Sequence, residues 1–92
     1  MELDHNGWRI ENGFLSKAFR FDNFTGALSF VQGLGEIAKR HRHCPEILIH
    51  SCSSVEVFLR SHADDDVTEK DYSMARQIDH YLYTEELLSG LQ

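Results

Sequence analysis

The segment that decides the fold is WRIENGFLSKAFRF, residues 8–21. Apolar and polar residues alternate in two runs on either side of Asn12-Gly13. Asn-Gly between alternating runs is the strongest short-range signal of a β-hairpin, because a type I′ turn needs positive φ at both central residues. A two-residue loop pairs Ile10 with Leu15. The predicted apolar face of this hairpin consists of Trp8, Ile10, Leu15, Phe19 and Phe21.

A long amphipathic helix is predicted after the hairpin, with Asp22-Asn23 as its N-cap. We expect this helix to end before Pro45, because the proline ring disfavours helical geometry in the residue before it. Its apolar positions recur at helical spacing. The predicted stripe consists of Phe24, Ala27, Leu28, Val31, Leu34 and Ala38, widened by Phe30 and Ile37.

Two further strands and a second helix complete the pattern. A second hairpin is predicted from residues 46–52 and 55–62, with Val55, Val57 and Leu59 on one face. The last helix opens at residues 68–71, Thr-Glu-Lys-Asp, which form a capping box. Its apolar stripe consists of Met74, Ala75, Ile78, Tyr81 and Leu82. The order ββαββα predicts an α+β fold, a four-stranded antiparallel sheet with both helices packed on one face.

Composition narrows the classes of function. A chain of 92 residues predicts a single domain over 1–92. The net charge of −6 argues against direct nucleic-acid binding, which needs clustered Lys and Arg. No apolar run reaches the length of a membrane span, so we expect no membrane partner. The sequence has two cysteines, Cys44 and Cys52, and no secretion signal. We therefore expect the protein to be located in the reducing cytoplasm, with no disulfide between them.

Two histidines are the candidate chemical groups. His43 follows the first helix, and His62 follows the second hairpin. If the hairpin forms, both reach the same end of one sheet. Histidine both gives and takes protons near neutrality, so this pair is suited to acid and base catalysis. A zinc site could also be drawn from the histidines and cysteines, but the paired spacings typical of tetrahedral ligation are missing, so we expect no metal.

Several short motifs, in a fixed order along the chain, resemble those of a known family. They read His-Cys-Pro-Glu at 43–46, Ser-His at 61–62, Val-Thr-Glu-Lys-Asp at 67–71 and Phe-Arg-Phe-Asp-Asn-Phe at 19–24. In this order and spacing the chain resembles the pterin-4a-carbinolamine dehydratases, small α+β proteins that also serve as dimerisation cofactors of a transcription factor in animals. The resemblance extends from Trp8 to about Leu82.

The sequence departs from the family pattern in five ways. Cys44 replaces the second histidine of the family's pair, Ile47 replaces an aromatic residue, and Asp66 replaces a glycine. The connection of the second hairpin is one residue longer than usual. We also expect the family's N-terminal helix to be missing, because only seven residues precede Trp8.

The resemblance implies a lyase. The substrate would be a 4a-hydroxytetrahydropterin, dehydrated to the quinonoid dihydropterin without any cofactor. His43 and His62 would be the acid/base pair, with the acid and the base unassigned between them. The implied substrate-binding residues are Cys44, Pro45, Glu46, Ser61, Ala63 and Asp64. The family also implies a homo-oligomer, a dimer or a tetramer.

Cys44 leaves a second interpretation open. A thiol is a weak hydrogen-bond partner, so it replaces an imidazole only in part, and we expect weakened activity. The alternative is a catalytically inactive dehydratase-like protein that acts as a binding or assembly module. Cys44, Ile47 and Asp66 are the residues that favour this alternative.

Overall fold

The computed structural model describes residues 7–61 and 66–90. Its elements are β1 (Arg9–Glu11), β2 (Phe14–Arg20), α1 (Phe24–His41), β3 (Glu46–His50), β4 (Ser54–Leu59) and α2 (Glu69–Gly90). The strands form one antiparallel sheet in the order β1-β2-β4-β3. The predicted α+β fold and the order ββαββα are confirmed.

The first hairpin has the predicted turn and register. Asn12 and Gly13 have φ values of 53° and 83°, and Ile10 lies opposite Leu15. The predicted apolar face is wrong at Ile10, whose side chain is 56% exposed although Leu15 is buried. Ile10 belongs to a three-residue strand at the edge of the sheet, and the buried sheet residues lie mainly on the two central strands.

Helix α1 begins and ends where the sequence predicts. The side chain of Asn23 caps it by accepting a hydrogen bond from the Gly26 N–H at 2.8 Å. At the other end Arg42 has a left-handed φ of 53°, and its N–H is directed to the carbonyls of Ala38 and Lys39. This turn separates α1 from Pro45 and begins the path toward β3.

The buried face of α1 is rotated from the predicted stripe. Its buried residues are Ala27, Phe30, Leu34 and Ile37. The prediction that Phe24 and Leu28 belong to the core is wrong, because they are 50% and 43% exposed. The apolar residues of α1 form two adjacent rows along the helix, and only one row is buried. Phe30 and Ile37 belong to the buried row, whereas Phe24 and Leu28 belong to the exposed one.

The second hairpin turns earlier than predicted. β3 ends at His50 and β4 begins at Ser54, so the turn contains Cys52 and its two serine neighbours. Ser51 and Cys52 have left-handed φ values of 52° and 67°, and the Ser53 N–H donates to the Ser51 carbonyl at 2.7 Å. The prediction of Cys52 as a strand residue is therefore wrong.

The core lies between the sheet and the two helices. β4 contributes Val55, Val57 and Leu59, all fully buried, which confirms the predicted face. The predicted stripe of α2 is also confirmed, with Met74, Ala75 and Ile78 buried and Tyr81 and Leu82 half-buried against the core. In the described part of the chain, neither helix combines the length and apolar character needed to cross a membrane.

A polar contact fastens α2 to the sheet. The Asp79 carboxylate accepts a hydrogen bond from Trp8 Nε1 at 2.9 Å through Oδ2, and Lys17 Nζ lies 2.9 Å from its Oδ1. The Lys17 and Asp79 side chains are 19% and 20% exposed, and Trp8 is 1% exposed. Asp79 therefore joins α2 to the first hairpin.

Candidate functional site

His43 is held in a buried position just beyond the end of α1. Its backbone N–H donates to the Ala38 carbonyl at 3.1 Å, which continues the cap formed at Arg42. The residue is only 7% exposed, and its Nε2 lies 2.6 Å from Oδ1 of Asp71. The predicted catalytic residue is thus anchored by a carboxylate that lies 28 positions further along the chain.

Asp71 occupies the first turn of α2 and is fully buried. Its Oδ2 accepts hydrogen bonds from the backbone N–H of Thr68 at 2.9 Å and from Ser61 Oγ at 3.0 Å. The bond to Thr68 is one half of the predicted capping box. Asp71 therefore both caps α2 and holds His43, and its negative charge lies at the end of the helix where the dipole favours an anion.

Ser61 is a further partner of this carboxylate and directly precedes His62 in the sequence. Ser61 is buried, and its Oγ lies 2.7 Å from Oγ1 of Thr68. Its backbone pairs with Asp66 as an antiparallel bridge, with Ser61 N–H donating to the Asp66 carbonyl at 2.9 Å. Ser61 thus links Asp71 to both Thr68 and Asp66.

The structure brings some of the predicted site residues together and leaves others untested. His43 and Ser61 meet at the two oxygens of Asp71. His62, Ala63 and Asp64 lie outside the described residues, so the predicted convergence of the two histidines stays a prediction.

The segment after His43 faces solvent in part. Cys44 and Glu46 are exposed and Pro45 is half-buried. Glu46 lies opposite Phe58, on the face of the sheet away from the helices, whereas Ile47 lies opposite the buried Val57. Cys44 is a free cysteine and is exposed, although it directly follows the buried His43 in the chain.

One cavity lies away from this corner. A cavity of about 470 Å³ lies near the beginning of α1, lined by Phe21, Asn23 and Tyr81 among others. With a rise of 1.5 Å per residue, α1 separates this cavity from His43 by about 25 Å. Within residues 7–61 and 66–90, no three His, Cys, Asp or Glu side chains are grouped closely enough to hold a metal ion.

The sequence analysis does not predict that Asp71 and Thr68 contribute to the site. It identifies them only as the two ends of a capping box. The one feature of the sequence that could have indicated this role is the aspartate at the third helical position. Its carboxylate can cap the helix through one oxygen and bind a neighbouring residue through the other.

Comparison with known proteins identifies the family. A family model described as pterin 4 alpha carbinolamine dehydratase matches residues 1–81. A protein of Sulfolobus acidocaldarius named "Putative pterin-4-alpha-carbinolamine dehydratase" is 34% identical over 88 residues, which cover 85% of this chain and 96% of that protein. A protein of Alkaliphilus metalliredigens with the same name is 33% identical over 76 residues, 82% of this chain and 68% of its own.

Solved structures agree in fold. The transcriptional coactivator/pterin dehydratase from Brucella melitensis superimposes with a TM-score of 0.76 at 28% identity, over 82% of this chain and 81% of its own. A pterin dehydratase-like protein identified as a RuBisCO assembly factor in the alpha-carboxysome gives a TM-score of 0.67 at 20% identity, over 83% and 89% of the two chains. The chain belongs to the pterin-4a-carbinolamine dehydratase family.

Proposed function

We propose that the protein is a hydro-lyase that dehydrates a 4a-hydroxytetrahydropterin to the quinonoid dihydropterin, with His43 and His62 as the acid/base pair. The observation that carries this proposal is the contact of 2.6 Å between the buried His43 imidazole and the Asp71 carboxylate. A histidine used only for packing needs no buried anionic partner. Membership of the dehydratase family supplies the class of substrate.

The reaction requires two proton transfers and no change of oxidation state. One group protonates the hydroxyl on C4a, and the C4a–O bond breaks as water leaves. A second group removes the proton from N5, and the electron pair of the N–H bond forms the N5=C4a double bond. General acid and base groups contribute about 10²–10⁴ to the rate of such a step.

We further propose that the substrate-binding residues surround this pair. Cys44, Pro45 and Glu46 follow His43 directly, and Ala63 and Asp64 follow His62. Ser61 is expected among them from the sequence, but its buried hydroxyl is engaged by Asp71 and Thr68, which supports a role in holding the site together. We expect Cys44 to lower the rate, because its thiol is a poorer hydrogen-bond partner than an imidazole.

The second candidate is an inactive dehydratase-like protein that binds or assembles a partner. The observation in its favour is the exposed thiol at position 44, where the family pattern has a histidine. The similarity to the RuBisCO assembly factor, at 20% identity, supports a shared fold and not a shared function. The buried His43–Asp71 pair favours the enzyme, because it preserves a potential proton acceptor that a binding module would not need.

We also propose that the protein acts as a homo-oligomer in the cytoplasm. Leu48 on the edge strand β3 is 50% exposed, and Phe24 and Leu28 on α1 are exposed to a similar extent, so apolar surface is available for association. Gel filtration with light scattering at high micromolar concentration should show a dimer or a tetramer. A monomer across this range would contradict the proposal.

The catalytic proposal is tested by following the disappearance of freshly generated 4a-hydroxytetrahydropterin by stopped-flow absorbance. We expect the wild-type protein to exceed the spontaneous rate, and His43→Gln and His62→Ala to lower kcat by about 10²–10⁴. His43→Gln retains an amide donor for Asp71, which limits the damage to the fold. His80→Ala, at an exposed position on α2, is the matched control and should keep the wild-type rate.

Two results would refute the proposal. One is a wild-type rate equal to the spontaneous rate. The other is full activity in both His43→Gln and His62→Ala. Either result would direct the search to protein partners.

A further inference from the structure

We propose that Asp71, oriented by Ser61 and Thr68, fixes His43 as the tautomer with its hydrogen on Nε2, so that Nδ1 is the base that removes the N5 proton. This inference rests on the proposed dehydratase function and assigns the two roles that the sequence leaves open. His62 then supplies the proton to the leaving hydroxyl. Asp71 is a positioning residue, since it acts through His43.

The directions of the hydrogen bonds follow from the chemistry of the partners. An ionised carboxylate only accepts hydrogen bonds, and a backbone N–H only donates. Oδ2 of Asp71 therefore accepts from the Thr68 N–H at 2.9 Å and from the Ser61 hydroxyl at 3.0 Å. Because the Ser61 hydrogen is used in this bond, the Ser61 oxygen accepts the hydroxyl hydrogen of Thr68 across 2.7 Å.

The remaining oxygen of Asp71 sets the state of His43. Oδ1 lies 2.6 Å from Nε2 and needs a donor, so the imidazole hydrogen is on Nε2. A neutral imidazole has a single N–H, so Nδ1 retains its lone pair. Within the described part of the chain, Asp71 is the side-chain hydrogen-bond partner of His43, and that bond uses Nε2.

The same geometry suits His43 to accepting a proton. When Nδ1 takes the N5 proton, the imidazolium forms beside a fully buried carboxylate. The serine proteases use the same kind of pair, in which a buried aspartate holds the histidine tautomer and stabilises the imidazolium. His43 gains one proton and His62 loses one in each turnover, and exchange with solvent restores both.

The tautomer can be measured without any substrate. In a protein labelled with ¹⁵N, long-range ¹H–¹⁵N correlation spectra distinguish the protonated ring nitrogen from the unprotonated one. We expect His43 to show a protonated Nε2 and an unprotonated Nδ1 when neutral. A hydrogen on Nδ1 would overturn the inference whatever the enzymatic activity.

Asp71→Asn tests the connection between tautomer and rate. Ser61 and Thr68 both donate to Oδ2, so they hold the amide oxygen of the variant on their side and turn its NH₂ group toward Nε2. Nε2 must then accept, which moves the hydrogen of His43 to Nδ1. We expect this switch in the spectrum and a fall in kcat of about 10³–10⁴ with little change in KM, since the substrate contacts are untouched.

Glu69→Gln is the matched control, because it makes the same carboxylate-to-amide change in the first turn of α2, at an exposed side chain outside this chain of hydrogen bonds. It should keep the Nε2–H tautomer and most of the rate. An Asp71→Asn variant that switches the tautomer but keeps the wild-type kcat would overturn the role of Nδ1 as base. A wild type with the Nε2–H tautomer and no activity would refute the proposed function and the base role with it, but not the positioning by Asp71.

Discussion

The ring of Tyr81 on α2 lies directly against the backbone of Gly33 on α1, so closely that a Cβ atom at position 33 would overlap the end of the ring. The same ring stacks on Phe30, with the two centroids 6.2 Å apart. Gly33 therefore allows the two helices to approach each other where they cross. A second glycine two residues later, Gly35, has open space at its Cβ position.

The first prediction compares alanine at these two glycines. Gly33→Ala should lower the free energy of unfolding by about 1–2 kcal/mol, because the new methyl group displaces the Tyr81 ring from its stack on Phe30. Gly35→Ala should raise it by up to about 1 kcal/mol, because alanine has the better helix propensity and meets no neighbour. Urea unfolding followed by the fluorescence of Trp8 measures both changes.

A double-mutant cycle tests the cause. In the Tyr81→Ala background, Gly33→Ala should no longer destabilise and should show the gain expected from helix propensity. If Gly33→Ala destabilises equally in both backgrounds, the overlap with Tyr81 is not the reason for glycine at this position.

A second prediction concerns the fastening of α2 to the first hairpin. Asp79→Ala should lower the free energy of unfolding by about 1–3 kcal/mol, because it leaves the largely buried Trp8 indole N–H and the Lys17 ammonium without their acceptor. The matched control is Glu69→Ala on the same helix, whose ion pair with Arg76 is exposed. It should change the free energy by less than about 1 kcal/mol. If both variants lose the same free energy of unfolding, the burial of the Asp79 contacts does not make them more stabilising than the exposed ion pair.

Local signals predict most of the fold. Asn12-Gly13 determines the first turn and its register, and the side chain of Asn23 marks the start of α1. On β4 the alternation of apolar and polar residues alone identifies the buried face, which contains Val55 and Val57.

The errors arise where the sequence pattern contains no local signal. Periodicity does not say which of two adjacent apolar rows of α1 faces the sheet, and the prediction therefore includes Leu28 in the core. The turn at Ser51 and Cys52 uses left-handed backbone without glycine, so its position could not be predicted from glycine or asparagine.

The site is predicted only in part for a similar reason. His43 is identified from its residue type and the family pattern. Its contact with Asp71 joins residues 28 positions apart, which no local pattern predicts. In the sequence, the capping box already accounts for an aspartate at position 71, so nothing indicates a further role. Only the packing of α2 against the end of α1 shows that the carboxylate has a second use.

The central claim, that this corner is a working but weakened dehydratase site, is tested most directly by restoring the histidine at position 44. The dehydration rate of 4a-hydroxytetrahydropterin should be measured for the wild type, Cys44→His and Cys44→His combined with His62→Ala. We expect the wild type to exceed the spontaneous rate and Cys44→His to be about 10–100-fold faster, because a hydrogen bond involving a charged group contributes roughly 1.5–3 kcal/mol. The combined variant should return to near the spontaneous rate. Spontaneous rates in both the wild type and Cys44→His would contradict the account and favour a binding module.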